Sequence, residues 1–232
     1  MGGLGDQEGS MYKLVDDSES HRYRSACSRI LTETRDELKD KYDIISQFTL
    51  VGSGARNLIT RNGNGPYDLD YNLEIIKAPD NAWNNLKQLK ETVRNCLNHA
   101  VGGNEFSDGK DSTAVLTSIR YFTDEPNVEF SFDVAIVTRN ESGTLMRLIH
   151  NKNAWQFGSS GQYTWNEVKS SHDVLKKAKY IKDSGGWIFV RNRYVELKNM
   201  YLERHDNDHP SFIVYVEAVN EIYQKIKGGK RK

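Results

Sequence analysis

Cysteine is nearly absent: the 232 residues contain only Cys27 and Cys96. Two such residues define no disulfide framework, and both fall on apolar faces of predicted helices, where a thiol packs as a small hydrophobe. No stretch approaches the roughly 18 consecutive apolar residues that a membrane span requires. The first 20 residues lack the basic-then-apolar order of a secretory signal. Asp6 stands where an N-myristoylation site requires Ser or Thr. The chain is therefore expected in the cytoplasm, with no membrane partner. Excess charge of one sign is missing too. The 32 Lys and Arg balance 32 Asp and Glu, so nothing global draws the chain to nucleic acid or an anionic membrane. Any electrostatic specificity must come from local clusters. The six histidines show no metal-ligand spacing, and there are no internal repeats or low-complexity linkers.

What is present suffices for a core. Hydrophobic residues make up 37% and aromatics 10%, which predicts a folded protein of one domain or two small ones. Residues 1–17 are Gly-rich and acidic and read as a flexible arm. From Ser18 to Tyr42, Tyr23, Cys27, Ile30, Leu31, Thr34 and Leu38 recur at steps of three and four, one helix with one buried stripe. Residues 44–51 read as a strand ending at Gly52, and "RNGNGP" (61–66) is turn chemistry. Tyr67–Ile76 alternates as a strand. Asp80 is placed to cap a helix carrying Trp83, Leu89, Val93, Leu97 and Ala100. After a loop at 102–111, "STAVLTSIRYF" and "VEFSFDVAIV" predict two strands joined by a turn at 124–127. Between 138 and 170 the pattern is mixed, with an apolar run at 145–149 and the aromatics Trp155, Phe157, Tyr163 and Trp165. Three helices follow: 172–182, one after Gly185-Gly186, and one from Pro210. The expected layout is the arm, a core at 18–140, and a mostly helical subdomain at 141–232.

One strand carries unusual chemistry. Asp68 and Asp70 in "YDLDY" lie two apart, so their side chains share a face with Cα atoms roughly 7 Å apart. That spacing lets carboxylate oxygens converge on one cation, although a solvated strand face would look the same. Asp133 in "FSFDVAIV" sits on a face otherwise made of Ser131, Ala135 and Val137, where solvation explains an aspartate poorly. A third carboxylate on a neighbouring strand could complete a site for two Mg²⁺ ions, of the kind that clamps a phosphoryl displacement. Gly52-Ser53-Gly54 directly follows a strand, and such a turn can aim backbone N–H groups at a phosphate.

Together these residues resemble the DNA polymerase beta-like nucleotidyltransferase superfamily. The resemblance rests on a strand ending in Gly52-Ser53, the hydrophobic–Asp–hydrophobic–Asp–hydrophobic strand "YDLDY", and a later strand bearing Asp133. The helix "RYVELKNMYLER" is similar to one in poly(A) polymerases, oligoadenylate synthases and cyclic-dinucleotide synthases, with Lys198 in the position that reaches the triphosphate. The resemblance covers roughly residues 18–205. It implies an α+β fold, a mixed β-sheet core with a helical C-terminal subdomain closing the nucleotide cleft. Asp68, Asp70 and Asp133 would be catalytic and would hold two Mg²⁺ ions, with Mn²⁺ as a substitute. Gly52, Ser53, Arg56 and Lys198 would bind the nucleotide. The donor would be an NTP, ATP favoured, and the acceptor a nucleotide or RNA end ahead of a small molecule or protein. The brief C-terminal part argues against a processive polymerase. Two rival readings stand beside it: a nucleotide sensor on the same fold without turnover, and a nucleic-acid-binding protein using Lys176, Lys177, Lys179 and Lys182.

Overall fold

A computed structural model describes residues 11–102, 106–121, 128–152, 162–169, 171–206 and 208–229. In chain order the elements run β1 (Tyr12–Leu14), α1 (Asp17–Tyr42), β2 (Ile45–Leu50), α2 (Gly52–Arg56), β3 (Thr60–Asn62), β4 (Tyr67–Lys77), α3 (Asp80–Asn84) and α4 (Leu86–Val101). They continue with β5 (Lys110–Asp111), β6 (Leu116–Tyr121), β7 (Val128–Arg139), β8 (Leu145–Asn151), β9 (Gln162–Glu167), α5 (His172–Asp183), α6 (Trp187–Glu203) and α7 (Ser211–Gly229). The chain divides into two compact units. A sheet unit holds residues 16–56 and 66–169; a helical unit holds the described residues of 1–15, 57–65 and 170–232.

The sheet unit is organised by β4 and β7. Strand order is β2-β4-β7-β6-β5, with β4 and β7 parallel and the other pairs antiparallel. β6 pairs with the first half of β7 and β8 with its last residues, and β9 extends β8. Alternation along β4 buries Tyr67, Leu69, Tyr71, Leu73 and Ile75 on one face, and Phe130, Phe132, Val134 and Ile136 of β7 join them. Each such side chain contributes about 1.5–3 kcal/mol when fully buried. The stripe of α1 covers this face: Tyr23, Cys27, Ile30, Leu31 and Leu38 are buried, and the Tyr23 ring stacks on Phe130 with centroids 4.4 Å apart. Asp17 and Glu19 in its first turn and Lys39 and Lys41 in its last complement the helix dipole. Cys27 and Cys96 are free, buried thiols.

Four sequence expectations need correction. The helix expected from Asp80 is two pieces, because the Asn85 side chain accepts from the Gln88 N–H and starts a new helix, α4. Residues 110–111, expected in a loop, form edge strand β5. The boundary expected at 140 falls within one continuous sheet, since β8 and β9 remain paired to β7. Only Leu148 of β8 is fully buried, so its half-buried pattern gave little periodic signal. The arm expected at 1–17 is ordered at its end, where β1 pairs with β3. The turn at 124–127, Trp155, Phe157 and residues 1–10 lie outside the described residues.

In the helical unit, α5, α6 and α7 pack around Ile181, Val190, Leu197, Ala218 and Val219, all buried. Ile213 and Val214 donate backbone N–H groups to the Pro210 carbonyl, which opens α7 as the proline predicts. No described helix is long and apolar enough to cross a membrane.

Candidate active site on the polar face of the sheet

The polar face of the sheet unit brings the three predicted carboxylates together. Parallel pairing sets Asp70 directly beside Asp133, and strand alternation puts Asp68 on the same face. One carboxylate oxygen from each of Asp68, Asp70 and Asp133 lies within 4.8 Å of the others. Two local interactions hold this arrangement. Thr117 on β6 sits opposite Asp133, and its hydroxyl donates to Asp133 Oδ1 at 2.5 Å. On the other side, the Val51 N–H donates to the Asp70 carbonyl at 2.8 Å, joining the end of β2 to β4.

The turn after β2 explains its glycines. Gly52 has φ of 61°, a left-handed conformation that strains other residues. A Cβ there would press on Asp70 Oδ2, so any other residue would displace the carboxylate from its present position. At Gly54 a Cβ would meet Leu50 Cδ1 at 2.9 Å, so the turn packs closely against the sheet. Arg24 of α1 donates from Nη2 to the Gly54 carbonyl at 2.9 Å and anchors the turn from behind. Gly52, Ser53 and Arg56 therefore occupy one turn, α2, beside Asp70.

Electrostatically the cluster is under-compensated. Burial, then the charges of Asp68 and Asp133, push the Asp70 carboxyl up to about 6, against the opposing pull of Arg147 and Arg56. Burial also raises Asp133, with Asp68 adding to the effect and the Thr117 hydrogen bond working against it. Hard oxygen donors, converging and short of positive charge, suit divalent cations such as Mg²⁺. The donor set fits the group that the resemblance implies.

Lys198 belongs to the helical unit. Its ammonium donates to Thr60 Oγ1 at 3.0 Å and Ser211 Oγ at 3.3 Å, and it lies 4.0 Å from the Tyr12 ring centroid. The lysines of α5 are mostly engaged locally: Lys177 with Asp173 at 2.6 Å, Lys179 with Asp183 at 2.6 Å, and Lys182 over the Trp187 ring at 4.4 Å. Lys176 is exposed. Sequence reasoning missed Thr117 and Arg24, which bond to the cluster and its turn, and Arg147, whose charge acts on Asp70; each comes from a different element. Only strand register and helix packing reveal them; no local pattern marks any of the three.

No family model matches the sequence, and no curated protein matches it. Solved structures do. The chain is similar to DncV of Escherichia coli bound to 3′-deoxy GTP, with a TM-score of 0.57 and 12% identity over 90% of this chain and 68% of that one. It is similar to the CD-NTase CdnG of Bradyrhizobium diazoefficiens in complex with GTP, with a TM-score of 0.51 and 14% identity over 87% and 66%. It is also similar to the DncV cyclic AMP-GMP synthase of Vibrio cholerae, with a TM-score of 0.51 and 10% identity over 80% and 61%. The chain thus spans between 61% and 68% of the length of these proteins. At such identity the likeness establishes the fold: an α+β nucleotidyltransferase architecture with a mixed sheet and C-terminal helices, as the sequence resemblance implied.

Proposed function

We propose that this chain is a divalent-metal-dependent nucleotidyltransferase, moving a nucleoside monophosphate from an NTP to a hydroxyl-type acceptor with release of pyrophosphate. The observation that carries the reading is the meeting of three carboxylates from two parallel strands within 4.8 Å, beside a glycine turn shaped around one of them. ATP is the favoured donor and a nucleotide the favoured acceptor, ahead of an RNA end, in a cytoplasmic setting. The fold shared with neighbours bound to GTP or 3′-deoxy GTP supports a nucleotide as ligand.

Asp68, Asp70 and Asp133 would hold two Mg²⁺ ions, or Mn²⁺. When bound, such ions supply charge neutralisation of the transferred phosphoryl group and of the leaving pyrophosphate. The chain's own residues do the positioning. The Gly52-Ser53 backbone and the Ser53 hydroxyl receive the terminal phosphates, with Arg56 adding charge from the same turn. Asp133, oriented by Thr117, accepts a hydrogen bond from the incoming hydroxyl and aligns it. Lys198 is proposed as a further phosphate contact, exchanging its present hydroxyl partners for phosphate oxygens.

The test is release of pyrophosphate and formation of a labelled product from each NTP with Mg²⁺ or Mn²⁺. Loss of both in Asp68→Asn/Asp70→Asn supports the transferase. Tight NTP binding with no release in the wild type replaces it with the nucleotide sensor.

A further inference from the structure

One row of residues crosses the sheet at the level of the carboxylates. Asp70 on β4 is beside Asp133 on β7, Asp133 is opposite Thr117 on β6, and Thr117 is opposite Lys110 on β5. Residues directly opposite in an antiparallel pair share a face, so Lys110 rises from the same face as the acidic cluster. With strands about 4.8 Å apart, its Cα lies roughly 10 Å from that of Asp133. Lys110 is exposed, and its ammonium has no hydrogen-bond or ion-pair partner among the described residues.

The neighbouring residue shows how firmly this lysine is placed. β5 has two residues and would fray as a bare edge strand. Asp111 holds it from the opposite face of the sheet: the Lys90 ammonium lies 2.6 Å from Oδ1, and His150 Nδ1 lies 2.9 Å from Oδ2. Lys152 donates to the Asp111 carbonyl at 2.8 Å. Lys90 is 2% exposed and also donates to the Ser112 carbonyl at 2.8 Å, while the His150 ring stacks on Tyr163 at 4.1 Å. A buried lysine is costly to desolvate. Here that cost goes into fixing a two-residue strand whose other residue, Lys110, is an exposed cation on the carboxylates' face of the sheet.

The position relative to the donor then indicates what Lys110 meets. The glycine turn lies against Asp70 at the β2–β4 end of the row, so the leaving pyrophosphate belongs there. In-line displacement brings the attacking hydroxyl from the opposite side, toward β7, β6 and β5. We propose that Lys110 contacts a phosphate of the acceptor, so that the acceptor is a phosphorylated nucleotide and not a nucleoside, a neutral sugar or a protein hydroxyl. This rests on the transferase reading above. The acceptor oxygen forms a new ester bond to the donor α-phosphorus as the bond to pyrophosphate breaks. Pyrophosphate leaves with the electron pair, and the hydroxyl proton passes by way of Asp133 to solvent. Lys110 takes no part in the bond changes; it contributes affinity and choice of acceptor.

The test compares GTP with guanosine as acceptors, using labelled ATP as donor, in the wild type, Lys110→Glu and Lys110→Arg. The KM for GTP as acceptor rises about tenfold or more in Lys110→Glu, equivalent to about 1.4 kcal/mol, and is largely kept in Lys110→Arg. The KM for ATP and the rate with guanosine stay within about twofold of wild type. An unchanged GTP KM in Lys110→Glu overturns the inference while leaving the transferase intact. Calorimetric titration of the protein with GTP in Ca²⁺ supplies a readout without turnover. If the wild type binds GTP but transfers nothing, the transferase reading fails. The titration then decides alone: a tenfold weaker isotherm in Lys110→Glu supports the contact, and an identical one removes it. A wild type that neither binds nor transfers removes both readings.

Discussion

On opposite faces of one sheet, the chain surrounds two partly buried aspartates, Asp70 and Asp111, by opposite rules. At Asp70, burial and the repulsion of two other carboxylates outweigh the pull of Arg147 and Arg56 and lift it to about 6. For Asp111, burial would likewise raise the carboxyl, but hydrogen bonds from Lys90 and His150 outweigh it and hold the group below its ordinary range. The second cluster carries its own countercharge and is finished as folded. The first stores repulsion that an external cation would relieve. A perturbed carboxylate alone does not separate structure from function; the sign of its neighbours does.

The largest effect that would break this comparison is at the first cluster. Asp70→Asn or Asp133→Asn is expected to lower pyrophosphate release by about 10²–10³-fold, the range for losing a preorganised electrostatic group. The same Asp70→Asn should raise the melting temperature in EDTA at pH 8, because it removes a buried repulsion. A lower melting temperature there would falsify the description of the cluster as under-compensated. The pH dependence carries the same information. Asp70 binds its proton more tightly folded, at about 6, than at its ordinary 3.8, so its ionisation destabilises the metal-free fold. Its contribution should fall from about pH 4 to about pH 6 and stay flat above. Asp111 has the opposite sign, its stabilisation being present above its ordinary pKa and lost as pH falls through its lowered one. Urea midpoints across this range, for wild type and Asp70→Asn in EDTA, should differ in slope between pH 4 and 6, and saturating Mg²⁺ should remove the loss above pH 6.

Lys90→Met attacks the second cluster. Removing one partner of a buried ion pair costs about 3–5 kcal/mol, so the melting temperature should drop by roughly 10 °C in a protein of this size. No loss would show that the pair is worth little more than packing. A smaller cost is expected at the hinge of the site. Gly52→Ala places a Cβ against Asp70 Oδ2 in a left-handed backbone, which costs about 1–3 kcal/mol and should weaken metal-dependent stabilisation along with activity. The mildest change is Thr117→Val, which removes one donor to Asp133, worth about 1 kcal/mol. Its signature is an upward shift of the acid limb of the pH–rate profile. A uniform drop at every pH would instead assign Thr117 to packing.

Much of the first cluster was legible because strand alternation is a local property. Asp68 and Asp70 share a face at a spacing of two, and Asp133 interrupts a face of small and apolar residues, so both were visible without a partner. The second cluster was invisible for the same reason. Lys90 comes from α4, Asp111 from a segment read as a loop, and His150 from a region without clear periodicity. Likewise β8 and β9 alternate too weakly to declare themselves, and Asn85 reads as an ordinary polar residue until it caps α4. Lys198 and the α5 lysines were identified by position and charge; their actual partners, Thr60, Ser211, Asp173, Asp183 and Trp187, depend on packing.

The amino-acid order alone determined which strands alternate, where helices carry a buried stripe, and which short-range residues form the glycine turn and the paired aspartates. These follow from steric and hydrophobic preferences that act over a few residues. Tertiary structure decided that β7 lies parallel to β4 in the register that seats Asp133 beside Asp70. It also decided that β6 and β5 continue that row to Thr117 and Lys110. Register comes from burying apolar faces contributed by segments far apart in the chain, and no local preference encodes it.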